Sequence, residues 1–295
     1  MSKNTKNYIL VTGGAGFIGT NLIKGLLKDT KYQIISLDNY ISGSKSNHII
    51  NKRVKYIKGE TKNISAKFKN LRKKIKLIFH FGEFSRVFQS FDNKKSLIYS
   101  NIYGTVEVIE FCRENNIKII YSSTSAGFGN NFADKHLSPY TFTKCNSLDM
   151  IINYSKWFGL KYEMLYFYNV YGGNEKIKEN MKAVIDIFKD CKRKNKYLPV
   201  VKPGKQSRVF TNIDDVIKAC LLIMRKNRNA HYLIKAKKSY KMIEIAKMFN
   251  HPFKFIKKRK GERFASSAPR EIRNIKVNQI LCKKDIKEYL KEEFL

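Results

Sequence analysis

Residues 12–19 read Thr-Gly-Gly-Ala-Gly-Phe-Ile-Gly and constrain the fold more than any other stretch. They follow the apolar run Tyr8-Ile-Leu-Val and open the helical pattern Phe17-Ile18, Leu22-Ile23, Leu26-Leu27. Strand, tight turn and helix in that order bring backbone N–H groups and the positive end of a helix dipole to one point. Glycine there lets the chain approach a pyrophosphate closely. Taken alone, such a turn could also serve only to pack a helix on a strand. A second signal accompanies it: the next apolar run ends in Leu37-Asp38-Asn39, nineteen residues beyond Gly19. An acidic residue at that spacing hydrogen-bonds the ribose of a dinucleotide. Asp38 would also repel a 2′-phosphate, so NAD is expected over NADP.

The same alternation continues along the chain. Residues 33–37, 76–81, 117–122 and 161–168 read as strands, and residues 98–115 and 140–158 as helices. This pattern predicts an α/β fold, a Rossmann-type doubly wound parallel sheet with a small C-terminal substrate-binding lobe. The NAD-binding part is expected over residues 1–171, with a return to the sheet near 207–234, most clearly at 210–225. Residues 172–206 and 235–295 are expected to form the substrate lobe.

Composition adds exclusions. The 295 residues carry 59 basic and 24 acidic side chains, a formal charge of +35 that by itself would suggest a polyanion partner. Lysine dominates, with abundant Asn and Ile, a mixture that follows A/T-rich codons. The charges are spread along the chain, with local runs only at 52–58 and 254–263. A solvated surface is expected, with no specific nucleic-acid partner. No apolar stretch approaches a membrane span and no signal-peptide pattern opens the sequence, so a cytoplasmic protein is expected. Cys112, Cys145, Cys191, Cys220 and Cys282 are scattered without ligand spacing, which predicts reduced core thiols and no metal site.

Ser138-Pro139-Tyr140-Thr-Phe-Thr-Lys144 begins a helix after Pro139. Residues four apart share a helix face, so the Tyr140 phenol and the Lys144 ammonium can act on one substrate atom. Bringing a phenol of pKa ~10 down by roughly three units takes about 4 kcal/mol of phenolate stabilisation, which neighbouring positive charge can supply. In a chain with 17 tyrosines the spacing alone is weak. The hydroxyl run Ser122-Ser123-Thr124-Ser125 at the end of the preceding strand strengthens it, because a hydroxyl beside the reacting oxygen can relay a proton.

With these residues in view, the chain resembles the extended short-chain dehydrogenases/reductases. Within them it is similar to the NAD-dependent epimerase/dehydratase family typified by UDP-glucose 4-epimerase. The resemblance runs from about residue 8 to residue 263. Its motifs are T-G-G-A-G-F-I-G, D-N-Y at 38–40, F-H-F-G at 79–82, N-I-Y-G-T at 101–105, S-S-T at 122–124 with S-P-Y-T-F-T-K at 138–144, Y-N-V-Y-G at 168–172 and S-R-V-F-T-N-I-D-D at 207–215. It implies that Gly13, Gly16, Phe17, Ile18, Gly19, Asp38 and Asn39 bind NAD, joined by Phe81 and Asn101 near the adenosine and ribose portions. Thr124, Tyr140 and Lys144 take the roles of hydroxyl, acid/base and cofactor-holding lysine. Tyr168 stands where the family has a nicotinamide-pocket aromatic, and Asn169 where it has a contact to the substrate diphosphate. Ser85 and Thr124 fall among the substrate contacts. Arg208 and Arg259, the latter in R-K-G-E, resemble arginines that grip the diphosphate, a role suited to a planar guanidinium. A homodimer is implied, paired through residues 98–115 and 140–158, with Val106, Ile109 and Phe111 on the contacting face.

The chain departs from the family at Gly59-Glu60-Thr61, where an Asp contacting adenine is usual, and in the short stretch between Thr124 and Tyr140. The leading expectation is redox-neutral epimerisation at C4 of a nucleotide-linked hexose, a UDP-sugar. A nucleotide-sugar 4,6-dehydratase or another dehydrogenase of the family is the alternative. Dehydratases carry an acidic pair after the S-S-T threonine, and this chain has Ser125-Ala126. A noncatalytic dinucleotide-binding sensor or scaffold would not need the Thr124, Tyr140 and Lys144 set.

Overall fold

Along the strand Tyr8–Thr12 (β1), Ile9 and Val11 enter one apolar layer and Leu10 the other, so both faces of the strand are buried. That is the signature of a parallel sheet covered on both sides by helices. A computed structural model describes residues 6–129, 132–173, 176–261, 263–265 and 268–294. Its main sheet continues through Gln33–Asp38 (β2), Val54–Lys58 (β3), Ile75–His80 (β4), Lys118–Thr124 (β5) and Tyr162–Phe167 (β6). Three further strands, His231–Ala236, Ile275–Cys282 and Glu271–Ile272, extend it beyond β6. From the far edge the order is Glu271–Ile272, Ile275–Cys282, His231–Ala236, β6, β5, β4, β1, β2, β3. All neighbours pair in parallel except the Glu271–Ile272 hairpin. The order reverses at β1 and β4, and in open α/β sheets the crevice at such a switch point takes the ligand.

Helix Phe17–Asp29 (α1) and the later helix Ile213–Ile223 cover one face. Ile64–Phe68 (α2), Lys94–Ile98 (α3), Gly104–Glu114 (α4) and Pro139–Phe158 (α5) lie on the other, where Val108, Ile109, Leu148 and Ile151 join the core. Ser138 caps α5 by accepting from the Thr141 amide at 3.1 Å. Pro139 occupies the first helical position, and left-handed Gly159 (φ +69°) ends the helix. A smaller apolar cluster, built on Phe188, Leu198, Phe210, Ile245 and Phe249, forms the lobe beside the crevice.

The structure departs from the sequence expectations in three places. The helix expected over 98–115 starts at Lys94 and passes through a π-helical turn at Tyr99–Tyr103 before α4. The return expected at 210–225 is chiefly the helix Ile213–Ile223, and the strand that rejoins the sheet is His231–Ala236. Ile275–Cys282, expected in the lobe, pairs with His231–Ala236 in the main sheet. An apolar run cannot declare in advance which sheet its backbone will join. Among the described residues no helix is long and apolar enough to cross a membrane.

Candidate active site

The first βα turn is too crowded for any residue but glycine at two positions. Gly13 has φ +72°, and a Cβ there would lie 2.9 Å from the Gly82 backbone. A Cβ on Gly19 would lie 2.1 Å from the Gly13 carbonyl oxygen. The backbones of the β1 and β4 ends are thereby pressed together at the switch point, and the first-turn amides of α1 have no partner within the helix. Gly13, Gly16, Phe17, Ile18 and Gly19 all line a cavity of about 540 Å³ that runs from this turn to the C-terminal lobe. At the end of β2, Asp38 is buried and accepts from the Ala15 amide at 2.9 Å and the Tyr40 amide at 2.7 Å. Burial raises its pKa, and those amides pull it back. Each carboxylate oxygen can accept a second hydrogen bond, so Asp38 retains capacity for a ribose hydroxyl. Asp38 and Asn39 also line an adjoining cavity of about 280 Å³ with Gly59, Glu60 and Thr61. Glu60 there pairs with Lys62 at 2.8 Å. This glycine cradle, helix end and acidic strand end fit a dinucleotide.

Tyr140 and Lys144 rise from the first turns of α5 into the middle of the larger cavity, opposite Thr124 at the end of β5. The Thr124 hydroxyl hydrogen-bonds the Tyr140 phenol and accepts from the Ala126 amide at 3.1 Å. Burial holds the phenol above its ordinary pKa. The Thr124 bond and Arg86 lower it, and Glu83 raises it. Lys144 is buried. Its ammonium donates to the Ser122 carbonyl and pairs with Glu83, and it lies 4.3 Å from the Tyr121 ring centroid. Burial lowers the lysine's pKa, and Glu83 opposes that.

Phe81 lines the cavity, meeting Phe167 edge-on with centroids 5.7 Å apart. Ser85, Asn169, Arg208 and Arg259 line it as well. Asn169 (φ +26°) donates to the Val209 carbonyl at 2.8 Å. Arg208 is oriented by the carbonyls of Ser207 (2.8 Å), Phe264 (3.1 Å) and Arg263 (2.5 Å). The Arg259 guanidinium sits 5.8 Å from the Phe88 ring centroid. Glu262 of the same motif lies outside the described residues.

Two expected contacts are placed elsewhere. Asn101 is wholly buried on the π-helical turn. It accepts from the Phe84 amide at 2.8 Å and donates to the Phe84 carbonyl at 3.0 Å, so it braces the loop after β4 and does not line the cavity. Tyr168 is likewise wholly buried, in the core beside Phe128 and Tyr166. Phe167, one residue earlier on the pleat, takes the cavity wall. Two residues expected on a subunit-pairing face lie inward. Ile109 and Phe111 are buried in the chain's own core, whereas Tyr99, Tyr103, Phe142, Trp157 and Phe158 are exposed on the same helices.

Three lining residues had no signal in the sequence pattern. Arg86 donates to the Met181 carbonyl at 2.7 Å, and Arg263 donates to the Ser125 carbonyl at 2.6 Å. Glu83 follows the F-H-F-G run directly but does not recur in any pattern of period or spacing. Among the described lining residues the only carboxylates are Asp38 and Glu83.

The chain is similar to known proteins of one family. Residues 9–234 match the model of the NAD dependent epimerase/dehydratase family. A putative UDP-glucose 4-epimerase of Methanocaldococcus jannaschii is 31% identical over 226 residues, covering 73% of each chain. The solved UDP-glucose 4-epimerase of Thermotoga maritima with UDP-glucose superposes with a TM-score of 0.83 at 23% identity, covering 96% of each chain. A dTDP-glucose 4,6-dehydratase of Streptomyces venezuelae, solved with NAD bound, gives a TM-score of 0.80 at 22% identity, covering 89% of this chain and 88% of that one. With about three quarters of its length matched to one family model and the dinucleotide cradle and Thr–Tyr–Lys set assembled around one cavity, the chain belongs to the NAD-dependent epimerase/dehydratase family.

Proposed function

We propose that the protein epimerises C4 of a nucleotide-linked hexose, carried on UDP, through a 4-keto intermediate and with no net redox change. The observation that carries this reading is the composition of the cavity around Tyr140: a complete Thr124, Tyr140 and Lys144 set with no free carboxylate among the described residues that line it. Of the two carboxylates among the described lining residues, Asp38 is bound to backbone amides at the end of β2 and Glu83 is paired with Lys144. Elimination of water across C5 and C6 needs an acid and a base near those carbons, and Ser125 and Ala126 supply neither.

Bound NAD supplies a hydride acceptor that can return the hydride to the same carbon. The protein's own groups do the rest. Tyr140 removes the O4 proton and later restores it. Thr124 donates a hydrogen bond that stabilises the phenolate, and Lys144, one helical turn along α5, brings positive charge to the same part of the cavity. Arg208 and Arg259, with Arg263 nearby, offer guanidinium groups to a diphosphate, and Asn169 lies on the same wall. The exposed aromatic face of α5 and of the helix preceding it supports pairing as a homodimer.

Assay of a panel of UDP-, GDP- and dTDP-hexoses in heavy water tests the reaction. Epimerisation leaves the mass unchanged and introduces no carbon-bound deuterium, because the C4 hydrogen never meets solvent. A product lighter by one water and labelled at C5 would establish the dehydratase instead.

A further inference from the structure

Glu83 does more than neutralise a lysine: it ends a hydrogen-bond chain whose every direction is determined. The amides of Phe81 and Gly82 donate to the Thr12 hydroxyl at 3.1 and 2.9 Å. That hydroxyl must therefore give its own proton to His80 Nδ1, 2.8 Å away. With Nδ1 accepting, Nε2 carries the imidazole proton and donates to Thr105 Oγ1 at 3.0 Å. Thr105 in turn donates to Glu83 Oε1 at 2.9 Å, where the Tyr121 phenol also donates at 3.0 Å. The other oxygen, Oε2, holds Lys144. Glu83 and Lys144 are 2% and 4% exposed, so water screens little of their charge. The chain leads from the glycine turn, where Thr12 adjoins Gly13, to the ammonium beside the acid/base tyrosine.

We infer that Glu83 is a positioning residue for the Tyr140–Lys144 pair, fixing the ammonium against Ser122 and balancing its charge, so that Tyr140 releases its proton only when a further positive charge, that of an oxidised nicotinamide, enters the cavity. The inference rests on Tyr140 being the acid/base of the site. Among the described residues, the charged and titratable groups facing Tyr140 are Glu83, Arg86, Arg263, Cys145 and Tyr121, with Lys144 one helical turn further along α5. Those facing Glu83 are Lys144, Tyr121, Tyr140 and His80. His80 is neutral, as the hydrogen-bond chain requires, with its pKa lowered to about 4 by burial. Among these groups, removing the Glu83 charge leaves the cations Lys144, Arg86 and Arg263 with no anion opposite them, since burial keeps the Cys145 thiol and the Tyr121 phenol neutral.

The test follows the affinity of the apo protein for NAD⁺ by calorimetry across pH, alongside kcat across pH, in the wild type and in Glu83→Gln and Glu83→Asp. A cation binds the phenolate form more tightly, so NAD⁺ affinity should rise with pH as Tyr140 titrates. In Glu83→Gln that rise, and the acid limb of kcat, should begin about one pH unit lower. Glu83→Asp keeps the charge but shortens the reach. It should leave the pH dependence in place and reduce kcat about tenfold with KM unchanged. Profiles of Glu83→Gln that coincide with wild type, with only the melting temperature lowered, would reduce Glu83 to a structural brace and overturn the inference. Should Glu83→Gln fail to fold, wild-type kcat in Glu83→Asp overturns it equally. A shifted NAD⁺ profile in a protein that turns over no nucleotide-hexose would uphold the inference while refuting the proposed reaction.

Discussion

Lowering the pH from 7 to 5 should strip stability from this protein through two buried histidines. His80 and His231 are both wholly inaccessible, and burial lowers each pKa from 6.5 to about 4. Both ring nitrogens of each are occupied: those of His80 by Thr12 and Thr105, those of His231 by the Tyr162 and Tyr166 phenols at 3.3 and 2.9 Å. Between pH 6.5 and 4 the unfolded chain binds protons at these sites and the folded chain does not, so stability rises with pH through that window. It is complete above about 6.5 and lost as the pH falls. Taking those pKa values, each histidine costs about 2 kcal/mol on going from pH 7 to pH 5, about 4 kcal/mol for the pair, against a typical total of ~5–15 kcal/mol. Urea midpoints at the two pH values measure the loss, and imidazole resonances assign it, since the chain has 5 histidines. His231→Gln, an amide able to keep one phenol hydrogen bond, should remove about half of the pH dependence. Equal midpoints at pH 7 and pH 5, or titration of His80 or His231 near pH 6.5, would refute the reasoning.

Other expected outcomes follow from the site and the surface. Tyr140→Phe keeps the ring and its packing while removing the hydroxyl, so kcat should fall at least ~10²-fold, with NAD binding, read by calorimetry below the pH at which Tyr140 titrates, nearly intact; retention of a tenth of the activity would be inconsistent with an acid/base role. Arg208→Leu should raise KM for the nucleotide sugar far more than it lowers kcat, as expected for a contact made equally in ground and transition states; an unchanged KM would return Arg208 to the role of a brace for the 263–264 backbone. Trp157→Asp places a charge on a side chain 65% exposed within the aromatic face of α5, so light scattering should register a shift from dimer to monomer with little change in monomer stability.

The glycine turn, Asp38 and the Tyr140/Lys144 spacing were legible in the linear order because local backbone geometry sets them. A strand must end, a helix must begin, and residues four apart must share a face. The strand–helix alternation was legible for the same reason, since an apolar period reports local structure. Which wall of the core a side chain meets depends on residues far along the chain. Phe167 meets the cavity and its neighbour Tyr168 the core, and Ile109 and Phe111 turn inward because α4 packs on β4 and β5. Asn101 is drawn to the Phe84 backbone by the π-helical turn, which no periodicity announces. Lys144 stands 61 residues beyond the carboxylate that holds it, and Arg263 stands 138 residues beyond Ser125. The residue types able to do the chemistry were therefore determined by the sequence alone. Their charge balance, and which aromatic side chains of α5 and the helix before it stay exposed, were decided by tertiary packing, because desolvation and pairing depend on neighbours that only the closed fold brings together.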